Sequence, residues 1–575
     1  MMVWPFNSRR VSRGAPFVVL AAVALPYFIH LGTSSLWDAN EAFYAETPRE
    51  MLESGDYLAP RFNHQLRPQK PPLTYWLVLT SYNLFGVSEF AVRLPGALAA
   101  LGVIVFTFGI GRALFSPFAG ILAAVMIGTT PRFFILARKL PIDILLLFWL
   151  TGSAYFFVHA LRRPSPSWKS WVPLYLFLGC GFLTKGPVAW VLPGASFSLW
   201  LVLTRSFSLS WRRLRPFRGL VLLAATVLPW YALIYRSHGR DYIASFFLKD
   251  NLGRFATQSF GPMRGPFYYV PTFFADFFPW SILAVAAAFY FWSERENLRP
   301  VGAFQYGFPL VWCAFVFLFF TLSKNKQEYY IAPMYPLLAV LLGGALRRSA
   351  LIKVTSNLNR PNYPWMCAFF LLLLLFFGLC VFMIILMRSV FPDLFPVLVY
   401  LPSAVLLVAS FALAWQLIRG NLSGCYGTLS CSIWLLLLLA ASIYIPGIEP
   451  LRPVKEMCRQ IASQSKPEDQ VGYYDAALPS MAFYLRRPIF EEFDAESMVQ
   501  RFRSTRAVFC ILTEQDYSYF VGTRDLILYV LDRRPRLITQ LHLLLDEESW
   551  AEQELLLVSN RPALEPNMKE GRENP

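Results

Sequence analysis

The sequence predicts an all-α polytopic membrane protein of about thirteen transmembrane helices, followed by a small extracytoplasmic α/β domain. Three observations predict it. Of the 575 residues, 56% are hydrophobic and only 15% are charged, whereas a soluble domain carries about a quarter charged residues. Apolar runs of bilayer length recur from Phe17 to about Pro446. From Glu449 onward the composition turns polar.

Arg9, Arg10 and Arg13 precede an apolar run from about Pro16 to Leu31 that lacks a small-residue cleavage site. It reads as an uncleaved first span with a cytoplasmic N-terminus, and Ser8-Arg9-Arg10 as its charged flank. A polar stretch, Ser34 to Lys70, comes next. Further apolar runs lie near residues 89–111, 118–136, 142–160, 171–184, 187–204, 219–235, 267–292, 303–322, 329–346, 365–387, 397–418 and 426–446. Alternating sides from a cytoplasmic N-terminus tests this order. It puts inside the basic clusters Arg162, Arg163 and Lys169; Arg212, Arg213, Arg215 and Arg218; and Arg347, Arg348 and Lys353, as the positive-inside rule requires. The expected domains are a transmembrane domain at 1–446 with an extracytoplasmic first loop at 34–70, an extracytoplasmic α/β domain at 447–565, and a disordered tail at 566–575. The expected location is the plasma membrane, the inner membrane of a bacterium, crossed many times.

The formal net charge of +16 raises the question of a nucleic-acid partner. The basic residues fall in short inter-span clusters, with no basic stripe interleaved with stacking aromatics, so no such partner is expected. Eight cysteines include no CxxC pair; six sit in or beside apolar runs, and Cys458 and Cys510 could pair if the C-terminal domain is extracytoplasmic. There is no Walker A loop, no GxSxG, no HExxH and no zinc cysteine pair, which argues against ATP hydrolysis and against serine or zinc chemistry.

Candidate chemistry concentrates on one side. In the first loop, Asp38 and Glu41 flank the start of a helix beside Trp37; either carboxylate can accept a proton from an attacking hydroxyl or cap the helix. Glu46, Arg49, Glu50 and Glu53 fall on one face of that helix at i, i+3, i+4 and i+7, which reads as a solvated surface with internal ion pairs. Lys70 stands where the chain re-enters the apolar layer and either snorkels or meets a phosphate. Asp143, after Leu136-Ala137-Arg138-Lys139-Leu140-Pro141-Ile142, opens the fourth span; an acid there is either functional or a dipole partner. Lys185, Arg254, Arg264, Lys324 and Lys326 recur on the side where few cations belong, which favours an anionic, phosphate-bearing ligand.

These residues resemble a known family. Tyr44-Ala45-Glu46 with Arg49-Glu50-Met51, Lys70-Pro71, Asp143, Thr184-Lys185-Gly186, Pro229-Trp230, Arg254-Phe255, Pro266-Phe267-Tyr268-Tyr269, Pro279-Trp280, and Ser323-Lys324 with Tyr330 follow in order over residues 15–346. The order is similar to that of the GT-C membrane glycosyltransferases, which include the lipid A 4-amino-4-deoxy-L-arabinose transferases and the protein O-mannosyltransferases. The resemblance implies a bundle of about thirteen helices, an outward-facing site and a sugar donor on a polyprenyl phosphate. It also implies inversion at the anomeric carbon, with a carboxylate (Glu41, Asp38 or Asp143) aiding the acceptor and Lys70, Lys185, Arg254, Arg264, Lys324 and Tyr330 holding the substrate. The implied acceptor is an outer-leaflet lipid, glycan or protein.

Three departures stand out. Asn40-Glu41 replaces the family's Asp-Glu, and an amide is no base. Gln69 replaces the acid before Lys-Pro, and Met263 replaces a histidine, which argues against a divalent metal at those positions; no cofactor is otherwise implied. The competing expectations are a lipid-linked-sugar transporter, which would show internal repeats that this chain lacks, and a relative retained only for binding.

Overall fold

The computed structural model describes residues 14–38, 40–139, 141–162, 167–256, 264–293, 303–355, 363–390, 398–537 and 554–562. The tail at 566–575 and the Ser8-Arg9-Arg10 flank lie outside the described residues. Among the described residues, eight helices are long and apolar enough to cross a bilayer, including Glu89–Leu114, Pro141–Arg162 and Tyr363–Leu386. Two further candidate spans are bent pairs, Pro117–Gly128 with Pro131–Lys139 at 63° and Pro266–Asp276 with Trp280–Ser293 at 108°. Ala15–Tyr27 and Val188–Leu203 are shorter apolar helices.

The straight spans expected at 118–136 and 267–292 are therefore broken. At the first break, Thr129 and Thr130 turn their hydroxyls back onto the carbonyls of Val125 (2.6 Å) and Met126 (2.8 Å), and Pro131 has no N–H to continue the ladder. Pro279 interrupts the second in the same way. Leu73–Phe85, which the apolar-run reading passed over, is a helix of 13 residues, too short to cross alone.

Side-chain burial shows which solvent the bundle faces. In Tyr363–Val390, Phe369, Leu372 and Phe376 join the core while Phe370, Leu371, Leu374 and Phe377 stay exposed. A helix apolar on its outward face suits hydrocarbon, and its backbone bonds are all internal. Trp280, Trp312 and Trp365 are fully buried in the same core.

The first loop contains the helix Glu41–Ser54 and a hairpin of β1 (Arg61–Phe62) with β2 (Gln65–Leu66). The C-terminal part carries β3 (Gln470–Tyr474), β4 (Phe490–Glu492), β5 (Val508–Thr513), β6 (Tyr529–Arg534) and β7 (Leu555–Ser559), in the order β4-β3-β5-β7-β6. β3 runs parallel to β4 and β5, and β7 antiparallel to β5 and β6. Strand alternation splits the side chains between two cores: Leu555 and Leu557 meet Val454, Met457 and Ile461, whereas Leu556 and Val558 meet Met498, Phe502 and Phe520. Cys458 belongs to the first core and Cys510 to the second, and both are free. The sheet lies between them, so the pairing left open by the sequence is not formed.

Candidate active site

The first loop and the C-terminal sheet are stapled together. The Asn63 amide bonds the Ile489 backbone at both ends (Nδ2 to O 2.7 Å, N to Oδ1 2.9 Å). The Tyr484 hydroxyl accepts the Leu36 N–H at 2.7 Å, and Phe62 packs into the core around Val454. Asp38 belongs to this seam. Its carboxylate accepts the Ser480 N–H at 2.9 Å near the start of the helix Ser480–Leu485, and burial raises its pKa in spite of Arg536 and Arg452 nearby. Asp38, half-buried, thus holds the start of a helix from another part of the chain.

Glu41 is fully buried. Its two oxygens take Arg93 Nε at 2.6 Å and Nη2 at 2.9 Å, and the Trp37 N–H bonds Oε2 at 2.9 Å. Arg93 also donates to the carbonyls of Leu31 (2.9 Å), Ser34 (2.8 Å) and Ser35 (2.9 Å). A buried charge is tolerated when paired and hydrogen-bonded, and this clamp pins the loop to the helix Glu89–Leu114. In this structure both oxygens of Glu41, expected as a base, are engaged and solvent is excluded. The expected solvated face of the loop helix is corrected for Glu46, Arg49 and Glu50, which are buried, while Glu53 is exposed as expected. Arg49 bridges Glu46 and Glu53 at 2.6 Å each. Burial, with Glu46 beside it, pushes the Glu50 carboxyl up to about 7.

Asp143 has a different setting. It lies in the first turn of Pro141–Arg162 and pairs with Lys185, the last residue of Trp168–Lys185. Each charge complements its own helix dipole as well as its partner. Gly186 ends the second helix at φ 81°, and a Cβ there would stand 2.5 Å from the Phe246 ring, so glycine is needed for the conformation and for the space. The Lys185 ammonium lies 5.5 Å from the Tyr329 ring and 5.4 Å from that of Tyr330. Tyr44 stacks on Tyr75 at 5.7 Å, and its hydroxyl lies in the electrostatic field of Arg67, Asp143 and Tyr329. Tyr75 in turn is buried with Arg67 and Asp250 near its hydroxyl. Asp143, Lys185, Tyr330 and the turn preceding Lys70 are thereby brought round one set of tyrosines.

Lys70 donates to the Gln69 carbonyl at 2.9 Å and pairs with Asp250 on the π-helical stretch Ser245–Gly253. The Arg254 side chain lies outside the described residues; the Lys324 N–H bonds the Phe255 carbonyl at 3.1 Å, so the 254–255 and 323–326 segments are adjacent. Lys324 itself is exposed, whereas Lys326 is buried and donates to the Ser323 carbonyl at 2.5 Å. Arg264 donates to the Lys326 carbonyl at 2.8 Å, lies 4.5 Å from the Tyr268 ring and reaches Glu328 at 3.8 Å. Sequence reasoning missed Arg132, which binds Asp276 at 2.8 Å and Glu328 at 3.2 Å, and it missed Asp250. The signal for Asp250 was an acid set among Phe246, Phe247, Leu248 and Leu252. Among the described residues no three His, Cys, Asp or Glu side chains converge as metal ligands. Among the described residues Gln69 brings one buried amide oxygen without a hydrogen-bond partner, too poor a donor set for a divalent ion.

The family model described as "Dolichyl-phosphate-mannose-protein mannosyltransferase" matches residues 69–232. The chain is 30% identical over 337 residues to the undecaprenyl phosphate-alpha-4-amino-4-deoxy-L-arabinose arabinosyl transferase 1 of Pseudomonas fluorescens, a match spanning 57% of this chain and 59% of that relative. It is 28% identical over 483 residues to an uncharacterized protein of Aquifex aeolicus, spanning 82% of this chain and 87% of that one. The fold is shared with a crystal structure of ArnT from Cupriavidus metallidurans bound to undecaprenyl phosphate, with a TM-score of 0.75, 23% identity, and coverage of 96% of this chain and 99% of that one. In sequence and in fold, the chain resembles a GT-C membrane glycosyltransferase of the 4-amino-4-deoxy-L-arabinose transferase kind.

Proposed function

We propose that this protein transfers a sugar, with inversion, from a polyprenyl-phosphate donor to a hydroxyl or phosphate oxygen of a lipid (lipid A among the candidates), a glycan or a protein. The reaction takes place at the extracytoplasmic face of a bacterial inner membrane, with the N-terminus cytoplasmic and the domain at 447–565 outside. The basic clusters between spans support that orientation. The observation that carries the function is the Asp143–Lys185 pair set among Tyr44, Tyr329 and Tyr330, with the Lys70–Asp250 pair close by.

In the proposed reaction the acceptor oxygen attacks the anomeric carbon as the bond from that carbon to the lipid phosphate oxygen breaks. Asp143 accepts the proton of an acceptor hydroxyl; a phosphate oxygen needs no base, which suits a site where Asn40 replaces an acid. Lys70, Arg254 and Lys185 offset the charge on the departing phosphate, with Arg264, Lys324 and Tyr330 at the margin of the site. The test is transfer by the reconstituted full chain from a panel of polyprenyl-phosphate sugars to lipid and protein acceptors. Product with inverted anomeric configuration is expected, and with hydroxyl acceptors its formation should fall sharply in Asp143→Asn. Donor movement across vesicles without covalent transfer, or no donor binding at all, would overturn the proposal.

A further inference from the structure

We propose that the short helix Phe207–Leu214, with the arginines around it, is a docking surface for an anionic phospholipid of the bilayer, at the end of the bundle opposite the candidate active site. The helix Pro141–Arg162 carries Asp143 in its first turn and ends at Arg162; its length separates the two by about 30 Å. Arg213 donates to the carbonyl of Leu161, which ties Phe207–Leu214 to that far end. Spacing by four residues groups Ser210 with Leu214 and Phe207 with Trp211. Ser210 is buried and Leu214 packs against the bundle core, whereas Phe207 and Trp211 are exposed. One strip of the helix therefore rests on the bundle, and the strip beside it is left open. Arg215 ends the helix at φ 52°, and Pro216 opens the long helix Pro216–Ala244. Phe217, also exposed, continues the aromatic row: Phe207 and Trp211 lie 5.6 Å apart, and Trp211 and Phe217 5.5 Å.

The cations here have no acid of their own. Between Asp143 and Asp241 the chain holds no Asp or Glu. Arg205, Arg212, Arg215 and Arg218 are exposed, and among the described residues none of the four pairs with a carboxylate. Lys70 and Lys185 differ in this respect, since each has its own aspartate. Exposed apolar side chains continue from the same place along two helices: Val202 and Leu203 end Val188–Leu203, and Leu220 and Val221 lie in the first turns of Pro216–Ala244. A soluble anion would meet the arginines and leave this apolar surface in water. A phospholipid meets both, with its phosphate on the guanidinium groups and its acyl chains along the aliphatic side chains. A helix with arginines on one flank and Trp and Phe on the other lies in the plane of the membrane interface for the same reason. Four cations without acids favour a headgroup with net negative charge over a zwitterionic one, whose own cation they would repel. The proposal stands independently of the transfer reaction above.

The test is native mass spectrometry of the detergent-solubilised full chain, titrated with phosphatidylglycerol, with phosphatidylcholine and, as a soluble headgroup, with glycerol 3-phosphate. Wild type is expected to bind phosphatidylglycerol at least about tenfold more tightly than phosphatidylcholine. Arg212→Gln and Arg218→Gln should each weaken phosphatidylglycerol alone by about fivefold. Arg205→Gln, Arg212→Gln, Arg215→Gln and Arg218→Gln combined should reduce it to the level of phosphatidylcholine, and the same four positions changed to Lys should retain it. Trp211→Ser should weaken both lipids, and Lys70→Gln neither. The four arginines are exposed and unpaired, so the melting temperature of the combined Gln variant should match wild type, which separates lost binding from misfolding. Equal affinity of wild type for the two lipids, undiminished phosphatidylglycerol binding by the combined Gln variant, or loss in Lys70→Gln alone would overturn the proposal. So would glycerol 3-phosphate binding as tightly as the lipid, which would mark a site for soluble anions. Lipid binding as expected in a protein that transfers no sugar would count against the transfer reaction and leave this surface standing.

Discussion

Replacing Glu41 by alanine separates a clamp from a catalyst. The change removes two charge-assisted bonds, at 2.6 and 2.9 Å, and leaves the Arg93 guanidinium buried beside three carbonyls with no counter-ion. Breaking a buried pair in this way costs about 3–5 kcal/mol, a large share of the roughly 5–15 kcal/mol that holds a typical domain together. Glu41→Gln keeps an oxygen for the Trp37 N–H and should cost less, about 1.5–3 kcal/mol, because it loses charge assistance rather than the whole contact. Detergent-solubilised protein is heated and the monodisperse fraction measured by fluorescence-detected size exclusion, with transfer assayed on the folded fraction. Glu41→Ala should melt well below wild type, Glu41→Gln between the two, and turnover per folded molecule should stay within about threefold. An unchanged melting curve with turnover down about a hundredfold or more would mean that Glu41 does chemistry and that the clamp reading is wrong.

Three further outcomes are expected. Asp143→Asn should retain donor binding while losing about 10²–10⁴ of turnover with a hydroxyl acceptor, the usual contribution of a general base; single-turnover measurement at saturating donor checks this. Glu50 has a folded-state pKa of about 7 against an ordinary 4.5, so the folded protein binds the extra proton, and stability should fall as pH rises from about 4.5 through 7. Glu50→Gln should flatten that part of the melting-temperature profile, and an unaltered slope would remove Glu50 as its source. Asp38→Ala deletes the acceptor for the Ser480 N–H, at a cost of about 1–3 kcal/mol, and should speed proteolysis at the junction of the first loop and the C-terminal domain; identical digestion rates in variant and wild type would show that the cap holds nothing.

The sequence by itself determined the solvent of this protein and the order of its apolar segments, because a helix of hydrocarbon length is a local property of some twenty neighbouring residues. It also marked Asp143 at a helix start and the recurring cations at Lys70, Lys185 and Arg264, since a charge beside an apolar run is conspicuous in one dimension. Tertiary structure alone decided what each charge does. Glu41 finds Arg93, Lys70 finds Asp250, Asp143 finds Lys185, and Asp38 finds the Ser480 N–H. The four acids have four different partners. A buried carboxylate is defined by the donor that packs against it, and these donors lie 42 to 442 residues away along the chain, beyond the reach of periodicity or motif. The bends at Thr129–Thr130 and Phe278–Pro279 were hidden for a related reason: hydropathy records that a segment is apolar, whereas hydrogen bonds and packing decide whether it runs straight.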